Sequence, residues 1–155
     1  MDTGPASLEC RKLTAEWKKP LLAFLSALEE ANDTDYFHPH PFTDDAVEKI
    51  IHSARKDLYY VLSEGNDVLG YGMLRGWDEG YEIPSLGIAI HPRVRNTGLG
   101  KVFMHFLNAA ARRKGARKVR LKVKRENTRA AKLYESLGYN FLSEEKGYLV
   151  GFLEL

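Results

Sequence analysis

A single cysteine, Cys10, in 155 residues excludes an internal disulfide framework and any zinc site built on several thiolates. Cys10 reads as a small apolar packing residue. Long apolar runs are also missing. None approaches the roughly 20 residues that a membrane-crossing helix requires, so no membrane partner is expected. There are no extended Pro, Gly or Ser tracts. With 44% hydrophobic and 28% charged residues, the composition is that of a globular chain forming one domain over residues 1–155. Met1-Asp-Thr-Gly-Pro5 has neither the basic nor the apolar segment of a secretory signal, which makes the cytoplasm the expected compartment. His38 and His40 have no third ligand at metal-binding spacing, and no metal site is expected. A surplus of one charge is lacking too, the net being +2. Cations do cluster from Arg112 to Arg129. In Lys118-Val-Arg-Leu-Lys-Val-Lys124, however, they alternate with Val119, Leu121 and Val123 as on a half-solvated strand, with no aromatic platform between them. No nucleic-acid partner is expected.

What is present is strong periodicity. Trp17, Leu21, Phe24, Leu25 and Leu28 recur at helical spacing and predict a helix over 17–30, with Pro20 tolerated in its first turn. Thr43 followed by Asp44 and Asp45 is an N-cap signal for a second helix with Val47, Ile50 and Ile51 on its apolar face. Two prolines hold the intervening Asp35–Phe42 segment extended. Strands are predicted over 58–62 and 68–74, joined by the turn Ser63-Glu-Gly-Asn-Asp67. Another strand, 86–90, ends at His91-Pro92. Leu99, Val102, Phe103, Phe106, Leu107 and Ala110 then mark a helix that stops near Gly115. A strand over 119–123, a helix over 128–137 closed by Gly138, and strands over 139–142 and 148–155 complete the order. This alternation predicts a three-layer α/β domain with a mixed sheet.

The most informative segment is Arg95-Asn-Thr-Gly-Leu-Gly100, between a strand and a helix start. Two glycines let backbone approach a bulky anion, and the first free N–H groups of the helix point at it. Further on, Asn127, Ala130, Leu133, Tyr134, Gly138 and Tyr139 stand in register within Asn127-Thr-Arg-Ala-Ala-Lys-Leu-Tyr-Glu-Ser-Leu-Gly-Tyr139. Together with Arg95, Gly98 and Gly100, these residues closely resemble the GCN5-related N-acetyltransferase (GNAT) family over Leu86 to Phe141. The family moves an acyl group from coenzyme A to an amine.

The resemblance implies a mostly antiparallel mixed sheet whose central strands, 86–90 and 119–123, splay apart with helices on both faces. It implies acetyl-CoA as cofactor, with pantetheine along Ile88, Ala89 and Ile90. Pyrophosphate would lie on Asn96, Thr97, Gly98, Leu99, Gly100 and Lys101, with charge from Arg95, and Asn127 nearby as cap or contact. Tyr134 would stand beside the sulfur as a proton donor, since a phenol of pKa about 10 stays protonated at neutral pH. Glu82, just before the cofactor strand, is the first choice for a base acting through water, with Asp78 and Glu79 as competitors. The resemblance places Tyr36, Phe37 and His38, with Trp77, Asp78 and Glu79, around the acceptor. Such an aromatic and acidic lip suits a small-molecule amine such as an amino sugar. A protein N-terminus or lysine is the alternative acceptor, and a non-catalytic acyl-CoA sensor is the alternative of another class. No serine or cysteine is placed for a covalent intermediate, so direct attack in a ternary complex is expected. Oligomeric state stays open, a homodimer included.

Overall fold

The computed structural model describes residues 6–155. Met1–Pro5, on which the reading of the chain start rests, lie outside the described residues. Strand β1 (Leu8–Lys12) leads through a short 3₁₀ turn into helix α1 (Lys18–Glu30), then come α2 (Asp44–Ser53), β2 (Leu58–Glu64), β3 (Asp67–Arg75) and β4 (Ser85–Ile90). A second 3₁₀ turn precedes α3 (Leu99–Arg113), which is followed by β5 (Lys118–Lys124), α4 (Thr128–Ser136), β6 (Asn140–Glu145) and β7 (Tyr148–Glu154). The strands form one sheet in the order β1-β2-β3-β4-β5-β7-β6. Every pair is antiparallel except β4–β5.

Strand alternation sorts the core into two layers. Tyr71 and Met73 of β3 face α1, whose Leu21, Phe24, Leu25 and Leu28 are buried at i, i+3, i+4 and i+7. Leu74 of β3 and Leu86 of β4 face the other way, toward Phe103, Met104 and Leu107 of α3 and toward Ala131 and Tyr134 of α4. Close approach of α3 requires glycine in β3: a Cβ on Gly72 would stand 2.7 Å from Leu107. The Thr43 side chain accepts from Ala46 N–H and starts α2, as its sequence predicts. α4 ends where Gly138, at φ 98°, donates to Glu135 and Tyr139 donates to the Tyr134 carbonyl, a Schellman closure. Tyr139 therefore belongs to the helix cap, and β6 begins one residue later than its sequence suggests.

Strand β1 has no counterpart in the sequence reading. It pairs with β2 at the sheet edge, and its side chains are largely exposed, so no apolar alternation marks it. Cys10 is half-buried there against the α3-side core, and burial pushes its thiol pKa up.

Candidate active site

The ladder between β4 and β5 consists of one bridge, Ser85 to Arg120, beside an Arg120 N–H to Pro84 carbonyl bond of 2.9 Å. Beyond it the parallel strands diverge. His91 N–H donates to the Leu69 carbonyl at 2.8 Å, so Tyr71–Ala89 and Met73–Gly87 are the bonded pairs of the β3–β4 ladder. The backbone groups of Leu86, Ile88 and Ile90 are consequently turned toward β5, into the gap. On the opposite wall, Leu155 N–H donates to the Arg117 carbonyl. The same alternation turns the amides of Lys122 and Lys124 toward β4. Ile88 and Ile90 thus turn backbone toward the gap. Ala89 does not, because its amide is committed to β3.

At the open end of the gap, Gly98 caps α3 with φ 87° and no side chain, and a Cβ there would meet nothing within 4 Å. The first-turn N–H groups of Leu99, Gly100 and Lys101 have no intrahelical acceptors and receive no side-chain cap. Asn96 is also left-handed, at φ 61°, and Thr97 donates its hydroxyl to the Val94 carbonyl. The turn is an open backbone cradle with the helix dipole behind it. Arg95 departs from the expected position at the mouth. Its guanidinium pairs with Asp33, just past α1, and also donates to the Ile90 carbonyl at 3.3 Å. It ties the cradle to the α1 side of the molecule.

Tyr134 of α4 is buried in the α3-side core, in one cluster with Leu86 of β4 and Phe103 of α3. Asn127 Oδ1 accepts from Ala130 N–H and fixes the start of that helix. The Tyr134 ring is buried near Tyr139, at 6.1 Å between centroids. Burial pushes its pKa up to about 12. Tyr139 commits its hydroxyl to Asn108 at 2.7 Å. The Tyr134 hydroxyl has no partner among the described residues, and it is not among the sealed polar atoms, of which the Trp17 indole nitrogen is one.

Across the sheet, the α1–α2 connection covers β4. Phe37 reaches within 3.8 Å of where a Gly87 Cβ would stand and meets Tyr71 edge-on at 6.1 Å. His38 packs on Phe42 at 5.1 Å and lines, with Glu29, Thr34 and Thr43, a cleft of about 490 Å³. Tyr36 is half exposed beside it. Two bonds pin this loop. Arg75 donates to the Pro39 carbonyl at 2.7 Å. His40 donates Nδ1–H to the Pro41 carbonyl, 2.7 Å, leaving Nε2 to accept from the Tyr71 hydroxyl, 2.9 Å. Burial lowers the His40 pKa and favours this neutral form. Neither His40 nor Tyr71 stands out in the sequence, where one alternates with prolines and the other reads as a strand residue.

The Trp77–Glu79 loop is where expectation and structure part. Trp77 packs on the α3 side of the sheet, with the Lys114 ammonium 5.8 Å from its ring, on the layer opposite Phe37. Asp78 accepts from the backbone N–H groups of Arg55, Lys56 and Asp57 at 2.8–3.2 Å. These bonds hold its carboxyl below the usual range. It is a clasp between the start of β2 and the loop that follows β3, not an acceptor contact. Glu79 is exposed in a tight turn. Glu82 is exposed three residues before Ser85 and pairs with no cation among the described residues.

A backbone gap between β4 and β5 thus opens beside a helix-start cradle, and the Tyr134 hydroxyl of α4 has no partner among the described residues. The profile of the Acetyltransferase (GNAT) family matches residues 25–139. The chain is 31% identical over 152 residues to the thialysine N-epsilon-acetyltransferase of Mus musculus, covering 96% of this chain and 84% of that protein. Among solved structures, the GNAT domain of S. lividans PAT shares the fold with a TM-score of 0.82 at 15% identity, covering 98% of this chain and 96% of that one. A PaiA N-acetyltransferase from Thermoplasma acidophilum, in complex with coenzyme A, gives 0.78 at 14% identity, covering 96% and 99%. The chain belongs to the GNAT acetyltransferase family. It is an acyltransferase that uses acetyl-CoA, and the open amides of the gap and cradle fit that cofactor.

Proposed function

We propose that the protein transfers an acetyl group to the primary amine of a small molecule, the amine attacking directly. The observation that carries this reading is the Tyr134 hydroxyl, without a partner among the described residues, whose other deeply buried phenols, Tyr71 and Tyr139, are bonded. Bound acetyl-CoA supplies the acetyl thioester. Ile88, with both backbone groups, and Ile90, with its N–H, offer bonds along one wall, and the amides of Leu99, Gly100 and Lys101 offer an anion seat. Tyr134 Oη keeps its proton at neutral pH, its pKa standing at about 12. Because a free thiol titrates near 8.5, full proton transfer from this phenol to a thiolate is uphill. Tyr134 works by donating a hydrogen bond to developing negative charge. Glu82, near the Ser85 bridge and without an ion pair among the described residues, takes the ammonium proton through a water.

A small acceptor is favoured over a peptide because the Phe37–Pro41 segment is bonded down over β4 by Arg75 and Tyr71, which narrows the approach. The mouse relative's name also points to an amine on an amino acid. Free-thiol release from acetyl-CoA, measured over small amines and over lysine-bearing and N-terminal peptides, tests the reading. A small amine should give the highest kcat/KM. Peptides outperforming every small amine would move the chain to protein modification.

A further inference from the structure

Residues in register across neighbouring strands share a face, and one such row crosses the sheet where β4 and β5 part. Arg75 of β3 pairs with Ser85 of β4, Ser85 with Arg120 of β5, and Arg120 with Phe152 of β7. This face is the α1 side, because Met73 and Gly87, two residues along β3 and β4, meet α1-layer groups there. The guanidinium-bearing positions therefore flank the Ser85 hydroxyl, their strands separated by about two inter-strand spacings, roughly 10 Å. Lys122 adds a third cation one step along the same face of β5. Among the described residues a single carboxylate answers the two β5 cations: Glu145 lies 3.2 Å from Arg120 and 3.3 Å from Lys122, with its own side chain half exposed. Arg75 has no acid partner among the described residues and donates to the Pro39 carbonyl. Asp57, opposite the row's outer end, is occupied by the Gly76 and Asp78 N–H groups. The acceptor side of the gap thus carries a local excess of positive charge, with forked donors and a hydroxyl that suit a carboxylate.

Resting on the acetyltransferase reading above, we infer that Arg120, Lys122 and Ser85 form a carboxylate subsite for the acceptor, so that the substrate is an amine carrying a carboxylate at its far end. The row lies three residues, about 10 Å, along β4 from the open amide of Ile88. An acceptor reaching from the row into the gap has its carboxylate and its amine at opposite ends, as lysine and ω-amino acids do. Diamines and polyamines, cationic at both ends, meet like charge at the row.

The test compares kcat/KM for L-lysine and 6-aminohexanoate with that for their methyl esters and for 1,5-diaminopentane. Calorimetric titration of each acid and ester into the CoA-bound protein gives a second readout. The wild type should prefer each acid over its ester by about tenfold to a hundredfold, the range of a charge-assisted contact. Arg120→Gln should bring that ratio toward one through KM and Kd, and the more exposed Lys122→Gln should lower it even if Arg120→Gln fails to fold. Glu145→Gln, which frees both cations, should raise it. Equal turnover of acids, esters and diamines by the wild type, or a ratio unmoved by all three substitutions, overturns the subsite and leaves the acetyltransferase reading standing. Absence of thiol release with every amine overturns the amine-acceptor reading and the subsite with it.

Discussion

Tyr134 and Glu82 stand in contrast with neighbours of the same chemistry. Tyr139 holds Asn108 and Asp78 holds three backbone amides, which are structural tasks, whereas Tyr134 and Glu82 have no such partner among the described residues. Tyr134→Phe should keep the fold and the CoA affinity while lowering kcat by roughly 10²-fold, the loss expected for one donor aimed at developing charge. An unchanged kcat, with chemistry shown to be rate-limiting, would return Tyr134 to the core. Glu82→Gln should alter the acidic limb of the kcat/KM pH profile. Asp78→Asn should leave that limb in place and lower Tm, because it removes the clasp on residues 55–57. Nothing in the sequence separates these acids. Both lie in one loop, and what distinguishes them is which backbone amides the fold brings within 3.2 Å of Asp78.

The α3 start is the element whose sequence says most about its function. Strand, glycine turn and amphipathic helix are all readable because each is local, and a left-handed Gly98 with open space above it is what they produce. Gly98→Val places a β-branched residue at φ 87°, where it is strained, and puts its methyls over the anion seat. Stabilisation by CoA should largely vanish, and equal CoA affinity in wild type and variant by calorimetry would sink the cradle assignment. Less legible are features that depend on partners far along the chain. The edge strand β1 lacks alternation because it needs to bury little. The pairing of Arg95 with Asp33 joins residues 62 positions apart. Trp77 looks like an aromatic wall in the sequence, but it falls on the α3 layer because the loop after β3 turns it away from Phe37.

The layered order of helices and strands was readable from periodicity, and the GNAT resemblance supplied the splay between β4 and β5. The polar groups inside the layers were not, since Asn108, Tyr71 and His40 take meaning only from their contacts. These buried phenols bear on the behaviour of the whole protein in alkali. Burial raises the pKa of Tyr71, Tyr134 and Tyr139 above the unfolded value of about 10. Above that pH the unfolded chain has released these protons while the folded chain retains them, so the unfolded state binds fewer protons and stability falls as pH rises. The stability these groups contribute is intact below pH ~10 and declines from there through about 12 for Tyr134. Loss of circular dichroism should therefore accompany tyrosinate absorbance in an alkaline titration, and full phenol ionisation with the fold retained would contradict this. The single bridge between Ser85 and Arg120 also bears on how the chain can be divided. A cut in the connection after α3 yields one fragment with the β1–β4 ladder complete and another with the β5–β7–β6 ladder complete. Reassembly of such a split enzyme would be driven almost wholly by side-chain burial, making it sensitive to denaturant and indifferent to the strand-edge pairing that usually governs β-fragment complementation.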